Sequence, residues 1–421
     1  MKWRVENPLA MYKGLNQSIY VLFVATMING VGIFVYPFLA LYLTQRLGYS
    51  ALKAGTFMTI ASTLYVPGSF IGSKLADKIG RKPVMVIAQL LMDGCFILCG
   101  FWEGSTIIPF FILLGLFFDG AVDPAREALK TDVTTIEDRQ VSFSLLYLGH
   151  NLGYAFGPVI AGYLFYANPK WLFWGNALAG ILSTLLVMWK IKETKPSKEL
   201  LQESLGWKTT EKGEEGGIIK ALLTRPKLLW FALAITFFSY AYSQTLFALP
   251  LLTTDLFGLK GAPLYGKMMT LNGIVVVLFT PLLVSKLRRF HPLANTVISG
   301  LLYAVAFFLF AFAKLPLSFL ILTGVFTLGE IISVTNEHFY VANNTPISHR
   351  ARFSAILPII MGTGHAIAPL IGGAIIESHS MNLLWVSTGA SAMVGSLGVL
   401  AIYLYEKRQE KEGQKSPIDQ P

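Results

Sequence analysis

Read for polarity, the chain is a succession of long apolar runs separated by short polar breaks. Twelve runs approach or exceed the roughly 20 mainly apolar residues that a helix needs to cross a bilayer. They lie at 17–44, 52–75, 83–102, 106–129, 141–167, 171–190, 228–253, 264–287, 293–313, 316–341, 352–377 and 381–405. The breaks concentrate Gly, Pro, Lys and Arg, which end helices or hold their ends in water. One break differs in kind: Lys192 to Lys227 is the one long polar segment, carries Glu-Lys-Gly-Glu-Glu-Gly-Gly near its centre, and divides the runs six and six. The pattern predicts an all-α membrane protein with twelve transmembrane helices. An N-terminal six-helix bundle occupies 1–191, a linker 192–227, a C-terminal six-helix bundle 228–405 and a tail 406–421.

Composition supports lipid as the solvent. Of 421 residues, 54% are hydrophobic and 14% charged, and the mean hydropathy is +0.57. A water-soluble core has no room for that share of apolar side chains. Cys95 and Cys99 stand at i, i+4 inside one apolar run, as small packing residues rather than a disulfide or metal pair. Met1 to Asn16 is polar and mixed in charge, and the first apolar run is too long for a cleavable signal peptide. The net charge of +10 invites a nucleic-acid reading, but the cations sit between apolar runs and mark topology instead. With an even number of crossings, the two ends and the even-to-odd connections share one side. That side carries 28 Lys and Arg, and the other six. The positive-inside rule then expects both termini in the cytoplasm.

The two halves repeat each other. Gly153-Tyr-Ala-Phe-Gly157-Pro158-Val-Ile-Ala-Gly162 in the fifth run returns 211 residues later as Gly364-His-Ala-Ile-Ala368-Pro369-Leu-Ile-Gly-Gly373. Small residues at this spacing let helices approach closely, and the proline removes a backbone bond and bends the helix. A second stretch, Gly72-Ser-Lys-Leu-Ala-Asp-Lys-Ile-Gly-Arg-Lys-Pro83, joins runs two and three. Gly80 permits positive φ, Pro83 suits a first helical turn, and Asp77 is the one acid among cations. Its copy at a shift of 208, Ser285-Lys-Leu-Arg-Arg289, keeps the charge without the acid or the glycine. A charge latch built here is therefore expected only in the N-terminal half.

The loop resembles the signature G-x-L-a-D-r-x-G-r-k of the major facilitator superfamily, with Ser73 at the family's first glycine and Gly72 one residue before it. The run at 153–162 is similar to that family's antiporter motif, with Ala161 at the penultimate glycine. The resemblance implies two pseudo-symmetric six-helix bundles around a central cavity opened to one side at a time, in the plasma membrane of a prokaryote. It also implies that Gly153, Gly157, Pro158 and Gly162 pack the fifth helix against its neighbours in exporters. The segment Asp123-Pro-Ala-Arg126-Glu-Ala-Leu-Lys-Thr-Asp132 is similar to one in drug-exporting members. That similarity implies that Asp132 meets Arg81 and forms, with Asp77 and Arg126, a gating charge relay.

Charges inside the membrane are costly and usually functional. Asp119 and Glu330 stand near the middle of runs four and ten, 211 residues apart, and His365 near the centre of run eleven. Glu330, in Thr-Leu-Gly-Glu, resembles the tenth-helix segment of LmrP-type multidrug antiporters, which implies proton coupling there, with Asp119 as pseudo-symmetric partner and His365 near enough to share the proton. Leu146 and Leu246 stand where such carriers have two further acids. Asp93, in the peripheral third helix, reads as an internal polar contact. Asn29, Asn151, Gln244 and Asn272 either line a cavity or tie helices together.

No H-E-x-x-H pair, G-x-S-x-G elbow or P-loop occurs. The chain is therefore expected to be no enzyme, to need no metal or other cofactor, and to draw on the proton gradient. Its expected partners are a small-molecule substrate, protons and the lipid bilayer, with no nucleic acid, and the expected state is a monomer. Proton-coupled efflux of amphipathic, drug-like compounds is the first reading. Symport or exchange of a sugar, peptide or organic ion is the second.

Overall fold

A computed structural model describes residues 12–134, 138–195, 226–287, 289–344 and 350–414, so most of the linker and the end of the tail lie outside the described residues. The described chain is helical, without strands. Its α-helices are α1 (Gln17–Val31), α2 (Val35–Gln45), α3 (Ala51–Ile79), α4 (Arg81–Phe101), α5 (Ile108–Asp132), α6 (Arg139–Ala167) and α7 (Lys170–Lys190). After the linker come α8 (Pro226–Phe257), α9 (Gly261–Leu287), α10 (Pro292–Phe310), α11 (Pro316–Asn344), α12 (Arg350–Ser378) and α13 (Met381–Gln414). Nine stretches of the described residues are long and apolar enough to cross a membrane, one of which, Pro226–Leu287, contains both α8 and α9. With α3 and α6, each 29 residues long, they account for the twelve expected crossings.

The first crossing is not one helix but two. The chain leaves helical geometry between Val31 and Val35, where a methyl group on Gly32 would overlap Ala179 of α7. A break at membrane depth survives only where its freed backbone groups find partners. Asn176 of α7 supplies one, its Oδ1 accepting from the N–H groups of Phe34 and Val35 at 3.3 Å each. Nothing in the apolar run 17–44 betrays this, because the partner lies more than 140 residues away.

The chain forms two compact units. One holds Met1–Tyr49, Phe57–Gly206 and Thr253–Val277, the other Ser50–Thr56, Trp207–Leu252 and Leu278–Pro421. They follow the six-plus-six division except that each takes a short piece of the other half. In the first unit α4 packs on α5 and α7, and α1 on α6 and α7. In the second, α10 packs on α11 and α13, with Phe307 and Phe310 each in ring contact with Phe326 and Trp385.

The exchanged pieces obey the sequence repeat. In the first unit, a methyl group on Gly266 would stand 2.5 Å from the Pro158 carbonyl oxygen, and one on Gly162 would stand 2.6 Å from that of Ala262. In the second unit, Gly55 is likewise closed by the Pro369 carbonyl and Gly373 by that of Ala51. Each of these residues has its counterpart 211 positions on. The repeat therefore extends from the motif itself to the backbone it presses against.

Candidate functional site

The turn between α3 and α4 is built as its residues dictate. Gly80 has φ +121°, and a side chain there would also press on the Glu193 carboxylate. That carboxylate accepts from the N–H groups of Arg81 (2.9 Å) and Lys82 (3.2 Å), satisfying the amides that open α4. Arg81 then turns inward. Its Nη1 lies 2.9 Å from Asp77 Oδ1 and donates to the Ala76 carbonyl at 2.9 Å, while Nε lies 3.4 Å from Asp132 Oδ2. Thr194 Oγ1 donates to the same Asp132 oxygen at 3.0 Å, and Lys195 Nζ donates to the Lys78 carbonyl at 2.7 Å. The start of the linker thus grips the turn, which its polar composition alone gave no sign of. Gly72, the displaced glycine of the loop signature, makes the close approach: any Cβ there would overlap Ala121 of α5.

Exposure ranks the three charges of this relay. The side chains of Arg81 and Asp132 are 14% and 23% exposed, that of Asp77 74%. An ion pair that water reaches freely contributes little, whereas removing a shielded cation strands its partner. Arg81→Ala is therefore expected to lower initial transport rate by about tenfold or more, the equivalent of about 1.4 kcal/mol. Asp77→Ala should cost severalfold less. Equal losses in the two variants would refute this ranking.

Arg126 belongs elsewhere than the relay in which its motif placed it. Its Nη1 pairs with Asp123 Oδ1 at 2.9 Å, and Nη2 donates to Gln89 Oε1 of α4 at 3.0 Å. Tyr65 Oη of α3 donates to Asp123 Oδ2 in a short bond, and Gln89 Nε2 donates to Asp93 Oδ1 at 3.1 Å. Asp119, one turn before Asp123 on α5, is half-buried, with Asp123, Arg126 and, from α4, Asp93 within its electrostatic reach.

In the second unit Glu330 is half-buried on α11. Glu337, two turns further along the same helix, accepts a short hydrogen bond from Ser333 Oγ. Buried Tyr303 of α10 lies within electrostatic reach of both acids. Glu337 was not singled out from sequence, although seven residues from Glu330 is two helical turns and so the same face. Among the described residues His365 pairs with neither acid; its carbonyl accepts from Ser243 Oγ at 3.0 Å.

Of the four mid-membrane amides, Gln244 ties helices together, donating from Nε2 to the Ala368 carbonyl of α12 at 2.9 Å. Asn151 donates to Tyr147 within its own helix at 2.9 Å. Asn272 is buried and Asn29 half-buried. The antiporter-motif residues form a seam. A methyl group on Gly153 would overlap the Met27 carbonyl of α1 and one on Gly157 would stand 2.8 Å from that of Val31, while Pro158 and Gly162 face the start of α9.

The second unit has a charge cluster of its own, built outside the copied loop. Glu406, near the end of α13, accepts from Tyr340 Oη at 2.9 Å and lies 3.9 Å from both Lys227 Nζ and His291 Nε2. The copied loop lost its acid, and a different helix end supplies one.

Comparison with known proteins places this architecture. A sequence model described as Major Facilitator Superfamily matches residues 22–338 and 296–420. YqjV of Bacillus subtilis, an uncharacterised MFS-type transporter, is 26% identical over 91% of this chain and 93% of its own. A Na(+), Li(+), K(+)/H(+) antiporter of Planococcus maritimus is 24% identical over 93% and 96%. The multidrug resistance protein MdtH of Edwardsiella ictaluri is 21% identical over 91% and 93%. Among solved structures, a POT family transporter in complex with 5-aminolevulinic acid superposes with a TM-score of 0.74 at 16% identity, covering 93% of this chain and 96% of its own. Another neighbour, PepTSo2, is described as tetrameric and superposes with a TM-score of 0.69 at 15% identity, covering 93% of this chain and 99% of its own. The monomer expected from sequence has no support among these neighbours.

Proposed function

The chain belongs to the major facilitator superfamily, and from that premise we propose that this multi-pass membrane transporter is a proton-coupled exporter of amphipathic, drug-like compounds. The observation that carries the reading is Glu330, a half-buried carboxylate midway along a membrane-spanning helix, with Glu337 on the same face and Tyr303 beside them. An acid at that depth is retained for a role that needs its charge or its proton. Protonation of Glu330 from one side and deprotonation on the other would exchange one proton for substrate. The seam of α6 against α1 and α9 supports export, since it is built on the exporter-like motif. The Arg81–Asp77–Asp132 relay supports a gate on the side that the excess of Lys and Arg assigns to the cytoplasm. No bound cofactor enters this scheme.

A second reading has its own support. The Planococcus maritimus relative is an antiporter of monovalent cations and protons, and it aligns over nearly the whole chain. One experiment separates the two. Inverted membrane vesicles from cells making the protein are energised to an acidic interior and given ethidium. Accumulation that collapses with the pH gradient is the expected result. Release of the gradient on adding Na+, Li+ or K+, without dye movement, would replace drug export by cation exchange. Dye movement indifferent to the gradient would sink the proton-coupled reading.

A further inference from the structure

The first unit contains a buried acid that the scheme above does not use. Asp93 of α4 is fully buried. One oxygen, Oδ1, accepts from Gln89 Nε2, while Oδ2 is buried without a hydrogen-bond partner. The helices packed on α4 are α5 and α7. From α7 comes Gly180, whose missing side chain makes the room: a methyl group there would stand 2.6 Å from Oδ2 and overlap Oδ1. From α5 the charged groups within reach are Arg126 and Asp119. Arg126 does not touch Asp93, because it is committed to Asp123 and to the amide oxygen of Gln89.

A carboxylate in a membrane-spanning helix with no cation against it is among the costliest states a side chain can adopt. A proton on the bare Oδ2 removes the charge. We propose that Asp93 is a second proton-binding site, and that Gln89 conveys its occupancy to Arg126. The amide is oriented for this. Its oxygen meets the guanidinium and its nitrogen meets the acid, and the reversed amide would set a donor against a donor. When the proton leaves, Asp93 becomes a carboxylate whose nearest cation is Arg126, so the guanidinium is drawn from Asp123 toward Asp93. Asp123 and Tyr65 then lose their cation. The chain Asp93–Gln89–Arg126–Asp123 runs from a fully buried end to a side chain 40% exposed, so it carries the change of charge outward, while the amide and the guanidinium keep their own protons throughout. Its use in coupling rests on the proton-driven reading above; the proton site itself does not.

The test uses the full-length protein, purified and reconstituted, and infrared difference spectra between neutral and alkaline pH. The wild type is expected to show a protonated carboxylic C=O band above the amide envelope at neutral pH. That band should be absent in Asp93→Asn and present in Glu330→Gln. Gly180→Ala, which crowds the carboxyl without removing it, should shift the band. Gln89→Leu should keep the band but move the pH at which it titrates, an effect that loss of packing alone does not produce. A spectrum unchanged by Asp93→Asn overturns the site. In the ethidium assay, Asp93→Asn is expected to lose at least about tenfold of gradient-driven transport. Loss of the band with transport unchanged overturns the coupling role. Wild-type dye movement indifferent to the gradient, with the band intact, sinks the export reading and leaves the proton site standing.

Discussion

Glu330→Gln is expected to abolish gradient-driven dye accumulation in inverted vesicles while leaving the protein folded. Glutamine has nearly the shape of glutamic acid and keeps its hydrogen-bonding capacity, but neither gains nor loses a proton near neutrality. The helix around it should persist, because α11 is held by packing on α10 rather than by this side chain. Substrate exchange without a gradient should continue, since it does not require net proton movement. Size-exclusion profiles matching the wild type, dye counterflow retained and uphill accumulation lost make up the expected pattern. Uphill accumulation at the wild-type rate would remove Glu330 from the mechanism. His365→Ala should have a smaller effect, because the structure pairs His365 with neither Glu330 nor Glu337 among the described residues.

The second large effect concerns a methyl group. Gly153→Ala is expected to destabilise the protein severely, by about 3 kcal/mol or more, in the range of the worst steric substitutions in packed cores. The added Cβ would overlap the Met27 carbonyl and stand 2.7 Å from the Val31 nitrogen and 2.8 Å from Gly30 Cα. All three are backbone atoms of α1, so no rotamer change relieves the clash and the helices must part. Gly94 provides the control. It lies in α4, and a methyl group added to it would meet nothing within 4 Å, so Gly94→Ala should gain up to about 1 kcal/mol from helix propensity. Thermal unfolding of the two purified variants decides the matter. Similar midpoints would show that the α6–α1 seam is not a tight contact.

The two glycines look alike in the sequence, which shows where one-dimensional reading ends. Periodicity and spacing report which residues share a face of their own helix. They do not report what another helix brings to that face. Gly153 is a partial exception, because its motif repeats at 211 residues and repetition of small residues implies a partner.

Arg126 marks the same boundary more sharply. Its sequence neighbourhood placed it with Asp77, Arg81 and Asp132, and three of those four do meet. Arg126 points instead to Gln89, 37 residues earlier. On α5 it shares a face with Asp119 and Asp123, while Asp132 at i+6 faces away. Helical geometry contains that distinction, and the motif does not. Glu193 and Glu406 were out of reach for another reason: each lies at the end of a last helix or just beyond it, where composition says only that water is near.

By itself the sequence determined the solvent, the helical class, the repeat and the family. These follow from the free energy of apolar surface in lipid and from small residues at fixed spacing, both properties of the chain read in order. Only the tertiary structure decided which charges meet, that the first crossing breaks at Gly32 under the hand of Asn176, and that Asp93 keeps one oxygen bare. Such pairings join residues tens to hundreds of positions apart. Their energies depend on distances of a few tenths of an ångström and on what else is buried alongside, and no local pattern encodes either.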